Sequence, residues 1–304
     1  MQIIPWREGD WRAAAIDEVA EAAGVELRHI SEDIESGGLL DGDVHAVVDG
    51  DLFRSKDSLW TVDGDIASEL DLAVAALGIK MDELVGINAG IVKQVVTQIL
   101  THSPKAILLI VSNPMDTMTY LALKSSGIDK HRLIGMGGIL DSARFKCYLQ
   151  KELNCSQNDL HATVIGGHGD TTMIPLTRLA TLNGTPVSNL LDADQLKQIA
   201  ADTMVGGATL TKYLGTSAWY APGAAGAELV ESIVRNQRKV FPCCVALEGE
   251  YGQNDICLGV PVVIGSNGWE KIIDYKLNDE EQEAFNKSAE AVRSMNKVLE
   301  TLVA

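Results

Sequence analysis

Ala106-Ile107-Leu108-Leu109-Ile110-Val111 is an uninterrupted apolar run, and it restricts the fold more than any other part of the chain. A strand with one wet face alternates polar and apolar residues. A continuous apolar run of strand length therefore belongs in a parallel sheet covered on both sides. The flanks agree. Leu84 to Thr101 carries Ile87, Ile91, Val95, Val96 and Ile99 near helical spacing, and Pro114 opens a second helix to about Ser125 with Asn113 at its N-terminal edge. Helix, buried strand and helix in succession predict an α/β fold.

Further along, Arg132–Gly135 reads as a short strand followed by a helix from about Leu140 to Leu153. Leu160–Ile165 and Thr172–Leu182 read as strands, and Ser188–Leu191 as a turn into helix. Helices near 193–214 and 222–237 precede strands at Val240–Glu248, Gly259–Ile264 and Ile272–Tyr275. A last helix spans about Asp279 to Leu302, with a heptad-like apolar spacing that marks core or partner contact. Alternating strands and helices, then a mixed half, predict an α/β protein with a second, α+β lobe. Upstream, Trp11–Ala23 and Ile66–Leu77 read as helices, and Val44–Val48 and Leu59–Val62 as strands. The triplet Asp-Gly-Asp at 41–43, 49–51 and 63–65 lacks the acidic ladder and terminal glutamate of a calcium loop, so it reads as solvated turns and no metal site is expected.

The 304 residues carry a net charge of −17, which argues against nucleic acid or an anionic membrane as partner. The charge is uneven: residues 1–84 hold 20 of the 42 acidic residues but only 6 of the 25 basic ones. A salt-adapted surface would spread its acid along the whole chain, so the first 84 residues form a different kind of sequence from the rest. Five cysteines (Cys147, Cys155, Cys243, Cys244 and Cys257) in no CxxC array read as reduced thiols in a cytoplasmic protein. No apolar run reaches membrane-spanning length, and the first residues do not read as a signal peptide.

Four polar residues carry chemistry. His168 stands between glycines in Val164-Ile165-Gly166-Gly167-His168-Gly169-Asp170, at the end of an apolar run. Asp141 and Arg144 lie three apart at a helix start and can share one face. A carboxylate at Asp141 can accept from His168 Nδ1, fix its tautomer and favour the imidazolium. Arg144 offers a planar fork matched to a carboxylate, and Asn113 follows a strand where open parallel sheets bind ligands. Singly, each has an ordinary explanation as a helix cap, surface ion pair or turn residue.

In this order and spacing the four residues resemble the lactate/malate dehydrogenase family over about residues 82–304. The resemblance implies a Rossmann-like parallel sheet with a second α+β substrate domain, divided as 1–139 (dinucleotide-binding-like, with 1–81 atypical) and 140–304. It implies His168 as proton donor–acceptor, Asp141 as its orienting partner, Arg144 as clamp for the substrate's C1 carboxylate, and Asn113 in contact with both substrate and nicotinamide. Asn88, Val111 and Ser112 would line the cofactor side. Gly215-Thr216-Ser217-Ala218-Trp219-Tyr220-Ala221-Pro222-Gly223 and Phe241-Pro242-Cys243 are similar to the malate branch. The implied cofactor is NAD, the substrate a small dicarboxylate (malate and oxaloacetate), and the assembly a homo-oligomer, dimer or tetramer.

Two features depart from the family pattern. No GxGxxG occurs in residues 1–84; the nearest cluster, Gly37-Gly38-Leu39-Leu40-Asp41-Gly42, has another spacing and adds a carboxylate. Gly135-Met136-Gly137-Gly138 mimics part of the fingerprint but reads as a structural turn before Asp141. The stretch before the Asn88 helix, where the family carries two arginines, here holds only Lys80. The alternatives left open are a non-catalytic relative, an enzyme of the same fold with a rebuilt first third and a different cofactor or a monocarboxylate substrate, and a recombined or out-of-frame N-terminal segment.

Overall fold

The apolar run becomes the strand it predicts, Ile107–Ile110, buried at every residue and paired in parallel on both sides. The structure, a computed structural model, describes strands at 26–29, 44–48, 51–55 and 59–62, then residues 81–214 and 219–303. In chain order the strands are β1 (Glu26–His29), β2 (Val44–Val48), β3 (Asp51–Ser55), β4 (Leu59–Val62), β5 (Ile107–Ile110), β6 (Leu133–Gly135) and β7 (Leu160–His161). They continue as β8 (Val164–Gly166), β9 (Met173–Pro175), β10 (Thr181–Leu182), β11 (Thr185–Pro186), β12 (Lys239–Glu248), β13 (Asn254–Gly265) and β14 (Gly268–Ile272). The helices are α1 (Met81–His102), α2 (Met115–Ser126), α3 (Gly138–Leu153), α4 (Ala193–Leu214), α5 (Tyr220–Val234) and α6 (Asp279–Val303).

One eight-stranded sheet runs in the order β4-β5-β6-β12-β13-β8-β9, with β14 also paired to β13. Its first three strands are parallel and the rest antiparallel. Alternate residues of β12 face opposite layers: Cys244 and Ala246 pack with Met115 and Tyr120 of α2, while Cys243, Val245 and Leu247 pack with Leu229 and Ile233 of α5. Two small antiparallel sheets, β1-β3-β2 and β11-β10-β7, complete the strands.

The helices follow their apolar faces, with one correction. On α1 the buried stripe is Val85, Ala89, Val92, Val96 and Ile99, whereas Ile87 is 45% exposed. The stripe keeps helical spacing but is rotated from the one counted by bulk, because small Ala89 faces the neighbouring α2 and α6. The heptad-like pattern of α6 buries Phe285, Ala289, Val292 and Leu299 in the core. Helix α5 ends at Val234 rather than 237, and Asn236 beyond it takes a positive φ of 49°. Among the described residues no helix is long and apolar enough to cross a membrane, and all five cysteines are free thiols.

Several strand expectations change. Leu160–Ile165 divides into β7 and β8, which pair in different sheets, and Thr172–Leu182 divides into β9 and β10 around a 3-10 turn at Thr177–Leu179. Apolar pattern reports burial, not which neighbour supplies the hydrogen bonds, and Pro175 has no N–H to extend β9. The turn into helix expected at Ser188–Leu191 is present, as a 3-10 turn at Val187–Asn189 that leads to α4 at Ala193. The strand expected at Ile272–Tyr275 is Gly268–Ile272, paired to β13 with Gly265 opposite Gly268. The two-residue hairpin turn between them is Ser266-Asn267, followed by Gly268 at a positive φ of 98°. Strands β2 and β4 match the expected Val44–Val48 and Leu59–Val62, while β1 and β3 had no periodic signal. Trp11–Ala23, Ile66–Leu77 and the triplets at 41–43 and 63–65 lie outside the described residues.

Phe145 of α3 is fully buried among Leu149, Leu160, Val164 and Met173. Phe145→Ala is expected to cost about 3–5 kcal/mol, read as a lower urea midpoint in equilibrium unfolding. An unchanged midpoint would remove the packing assigned to α3.

Candidate active site

Two short segments that follow strand ends meet at the candidate site. After β6 the chain turns through Met136 and Gly137 into α3, whose first turn carries Asp141 and the next Arg144. After β8 it turns through Gly166 and Gly167 to His168. The β12–β13 hairpin stands between β6 and β8 and joins each by a single register pair, Cys244 with Gly135 and Gly259 with Gly166. That approach needs glycine: a Cβ on Gly259 would lie 2.4 Å from the Gly166 carbonyl oxygen, and Gly166 itself has φ +87°.

The approach sets His168 against Asp141. Nδ1 of His168 lies 2.7 Å from Asp141 Oδ2, and Asp141 Oδ1 accepts from Arg144 Nη1 at 3.2 Å. Asp141 is almost wholly buried, and the side chains of His168 and Arg144 are 17% and 19% exposed. The Thr203 carbonyl also faces Arg144 Nη1, at 3.5 Å. Helix α4 makes room for the guanidinium at Gly206, where a Cβ would lie 2.4 Å from Arg144 Cδ. Gly135-Met136-Gly137-Gly138 is a packing turn: a Cβ on Gly137 would press on Met115 Cε at 2.4 Å and His168 Cβ at 3.0 Å.

Burial alone would push the His168 imidazole down. The Asp141 carboxylate, by charge and hydrogen bond, and then Asp116 outweigh that effect and the opposing Arg144 charge, leaving His168 above the ordinary histidine value of 6.5. Among the described residues Nε2 has no hydrogen-bond partner, so it is the nitrogen available to a ligand. Arg144 likewise bonds within the chain only through Nη1 among the described residues, leaving Nη2 and Nε. An imidazolium with one nitrogen committed, beside an open guanidinium edge, can hold a carboxylate and exchange a proton with a neighbouring oxygen.

Asn113 follows β5 by way of Val111 and Ser112. Val111 and Asn113 are half-buried, Ser112 is buried, and Asn88 is buried behind them with its Nδ2 donating to the Asn113 carbonyl at 2.6 Å. Direct contacts join His168, Asp141 and Arg144; Asn113 is tied to them through Asp116, whose Oδ2 accepts from the His168 backbone N–H at 2.7 Å. Asp116 was not singled out from sequence, nor was Ser288, whose Oγ accepts from Gly167 N at 2.8 Å. In the sequence Asp116 is simply an acidic residue in the first turn of a helix; the fold buries that helix through Ala122, and only there does the carboxylate need a partner. The cluster 37–42, Lys80 and residues 215–218 lie outside the described residues.

Comparison with known proteins gives a consistent family. Residues 22–135 match the lactate/malate dehydrogenase NAD binding domain, reaching well upstream of the motif-bearing residues, and 139–302 match the lactate/malate dehydrogenase alpha/beta C-terminal domain. The malate dehydrogenase of Flavobacterium frigidimaris is 55% identical over 288 residues, covering 93% of this chain and 92% of the relative. That of Bacteroides fragilis is 61% identical over 222 residues, covering 73% and 71%. Among solved structures, the apo malate dehydrogenase of Picrophilus torridus superimposes with a TM-score of 0.74 at 38% identity, covering 81% of this chain and 76% of that one. The lactate dehydrogenase of Eimeria maxima with NADH and oxamate has a TM-score of 0.74 at 30% identity, with coverage of 81% and 74%.

The imidazole should titrate above 6.5 in an NMR pH titration, and Asp141→Asn should lower the midpoint. Because the folded value is raised, the pair's contribution to stability is complete below the unfolded midpoint and lost as pH rises through the folded one. The stability gap between wild type and Asp141→Asn should therefore narrow on the alkaline side. A gap that widened there would contradict the assigned charge state.

Proposed function

The chain belongs to the lactate/malate dehydrogenase family, and on that premise we propose that it is an NAD-dependent oxidoreductase interconverting malate and oxaloacetate. The observation that carries this reading is the Asp141–His168 hydrogen bond, which commits Nδ1 and leaves Nε2 for substrate. In the reductive direction His168 is protonated, Asp141 holds its Nδ1–H, and Nε2–H donates to the C2 oxygen. Loss of that proton leaves a neutral imidazole still bonded to Asp141, so the same tautomer is ready to take the C2 hydroxyl proton in reverse. Arg144 holds the C1 carboxylate through the guanidinium edge that Asp141 leaves open.

Bound NAD supplies or accepts the hydride. The residues present fit its nicotinamide end: Val111, Ser112 and Asn113 follow the carboxyl end of a parallel strand and offer neutral amide, hydroxyl and apolar groups. Asn88 acts from behind by holding the Asn113 carbonyl, and Asn113 presents its amide to substrate and cofactor. In this reading residues 1–139 serve the cofactor and 140–304 the substrate. The same reading makes the chain a cytoplasmic homo-oligomer. It is supported by five free thiols and by exposed apolar side chains such as Ile87, Val205 and Leu210.

Oxaloacetate-dependent NADH oxidation tests the reaction. His168→Asn should lower kcat by about 10²–10⁴-fold. Arg144→Lys should raise the KM for oxaloacetate by about tenfold or more, since an ammonium cannot form the bidentate clamp. Activity unchanged in His168→Asn would remove the mechanism, and calorimetry without measurable NADH binding would favour a non-catalytic relative.

A further inference from the structure

Asp116 is a buried carboxylate, 6% exposed, that the proton-transfer scheme does not use. It sits in the first turn of α2, three residues after Asn113, on the short segment that enters the helix. Its Oδ2 accepts the His168 backbone N–H at 2.7 Å, and its Oδ1 is buried without a hydrogen-bond partner among the described residues. A buried carboxylate met only by the His168 N–H and the Cys244 thiol is costly to keep. The cost falls directly behind the backbone of the residue that exchanges the proton.

We propose that Asp116 is a positioning residue, which fixes the His168 backbone relative to the Asn113 turn and places a second negative charge beside the imidazole. The proposal rests on the reading of His168 as proton donor–acceptor. The His168 hydrogen bond spans the two parts of the chain assigned to cofactor and substrate. Asn113 and His168 are thereby held by one short linkage, Asn113-Pro114-Met115-Asp116 to the His168 amide.

The groups facing this pair are few. His168 is met by Asp141 and Arg144 of α3 and by Asp116 of α2. Asp116 is met by His168, by Asp141 and by the Cys244 thiol of β12, which is itself beside Cys257 of β13. Burial keeps the Cys244 thiol well above its usual range and so neutral, which among the described residues leaves no cation other than the imidazolium directly against Asp116. Burial also raises Asp116, opposed first by the His168 N–H and then by the imidazole charge, so the two ionised forms favour one another.

Asp116→Asn separates the two roles, because the amide oxygen can still accept the His168 N–H while the charge is gone. In NMR titrations its His168 midpoint should fall, with Asp141→Asn as the reference for a larger fall. The alkaline limb of kcat for oxaloacetate reduction should move down in parallel, with kcat on the acid side close to wild type. Asp116→Ala, which removes the acceptor as well, should lower kcat about tenfold or more across the whole pH range. A folded Asp116→Asn variant with an unchanged His168 midpoint would overturn the proposal. So would rapid exchange of the His168 amide in the unmodified protein, a measurement that needs no variant to fold. Absence of oxaloacetate-dependent NADH oxidation in wild type would count against the reaction alone, since titration and amide exchange report on Asp116 without turnover.

Discussion

The close backbone approach at Gly166 and Gly259 is the contact on which the site depends. It lets β8 lie directly beside β13, so the loop carrying His168 emerges next to the turn that starts α3. Gly135 opposite Cys244 does the same on the other side of the hairpin. A Cβ on Gly259 would lie 2.4 Å from the Gly166 carbonyl oxygen, and one on Gly135 would meet Met115 Sδ at 2.4 Å and Cys244 Cβ at 2.8 Å, so at either junction the backbone would have to shift. The Asp141–His168 hydrogen bond, at 2.7 Å, has no tolerance for such a shift.

Around that contact the charges are ordered by burial. Asp141, the most buried, divides its oxygens between His168 and Arg144, and so orients an imidazole and a guanidinium with one side chain. Asp116 approaches the same histidine from the backbone side. Two carboxylates beside the imidazole outweigh both burial and the opposing Arg144 guanidinium, and hold His168 above the ordinary histidine value. The same set explains why α4 needs Gly206 against the Arg144 stem: the guanidinium must stay near Asp141 while its remaining donors stay open.

Where residue type and period carried information, sequence reading and structure agree closely. The apolar run 106–111 had no polar residue to place in water, and it became a strand buried on both faces. Asp141 and Arg144 were readable as neighbours because three residues on a helix bring side chains to one face. The strands divided at Leu160–Ile165 and Thr172–Leu182 were not readable, because the partner of a short strand is chosen by distant segments. Asp116 escaped notice for a related reason. A carboxylate in a helix's first turn looks like an ordinary favourable charge until the fold brings the His168 amide to it.

By itself the sequence determined which residue types could do acid–base and carboxylate-binding chemistry, and that a parallel strand and its helices would present Asn113 at a strand's end. It determined the family through the order of those residues. The Asp141–His168 Nδ1 contact that those residue types suggest is present, but only the tertiary structure decided that Asn88 bonds the Asn113 carbonyl and that Asp116 accepts the His168 amide. The physical reason is that spacing along a helix or strand sets local neighbours, whereas contacts across a sheet depend on which backbones can approach one another. Here glycine carbonyls and amides make that choice, and a glycine's contribution shows only in what stands opposite it.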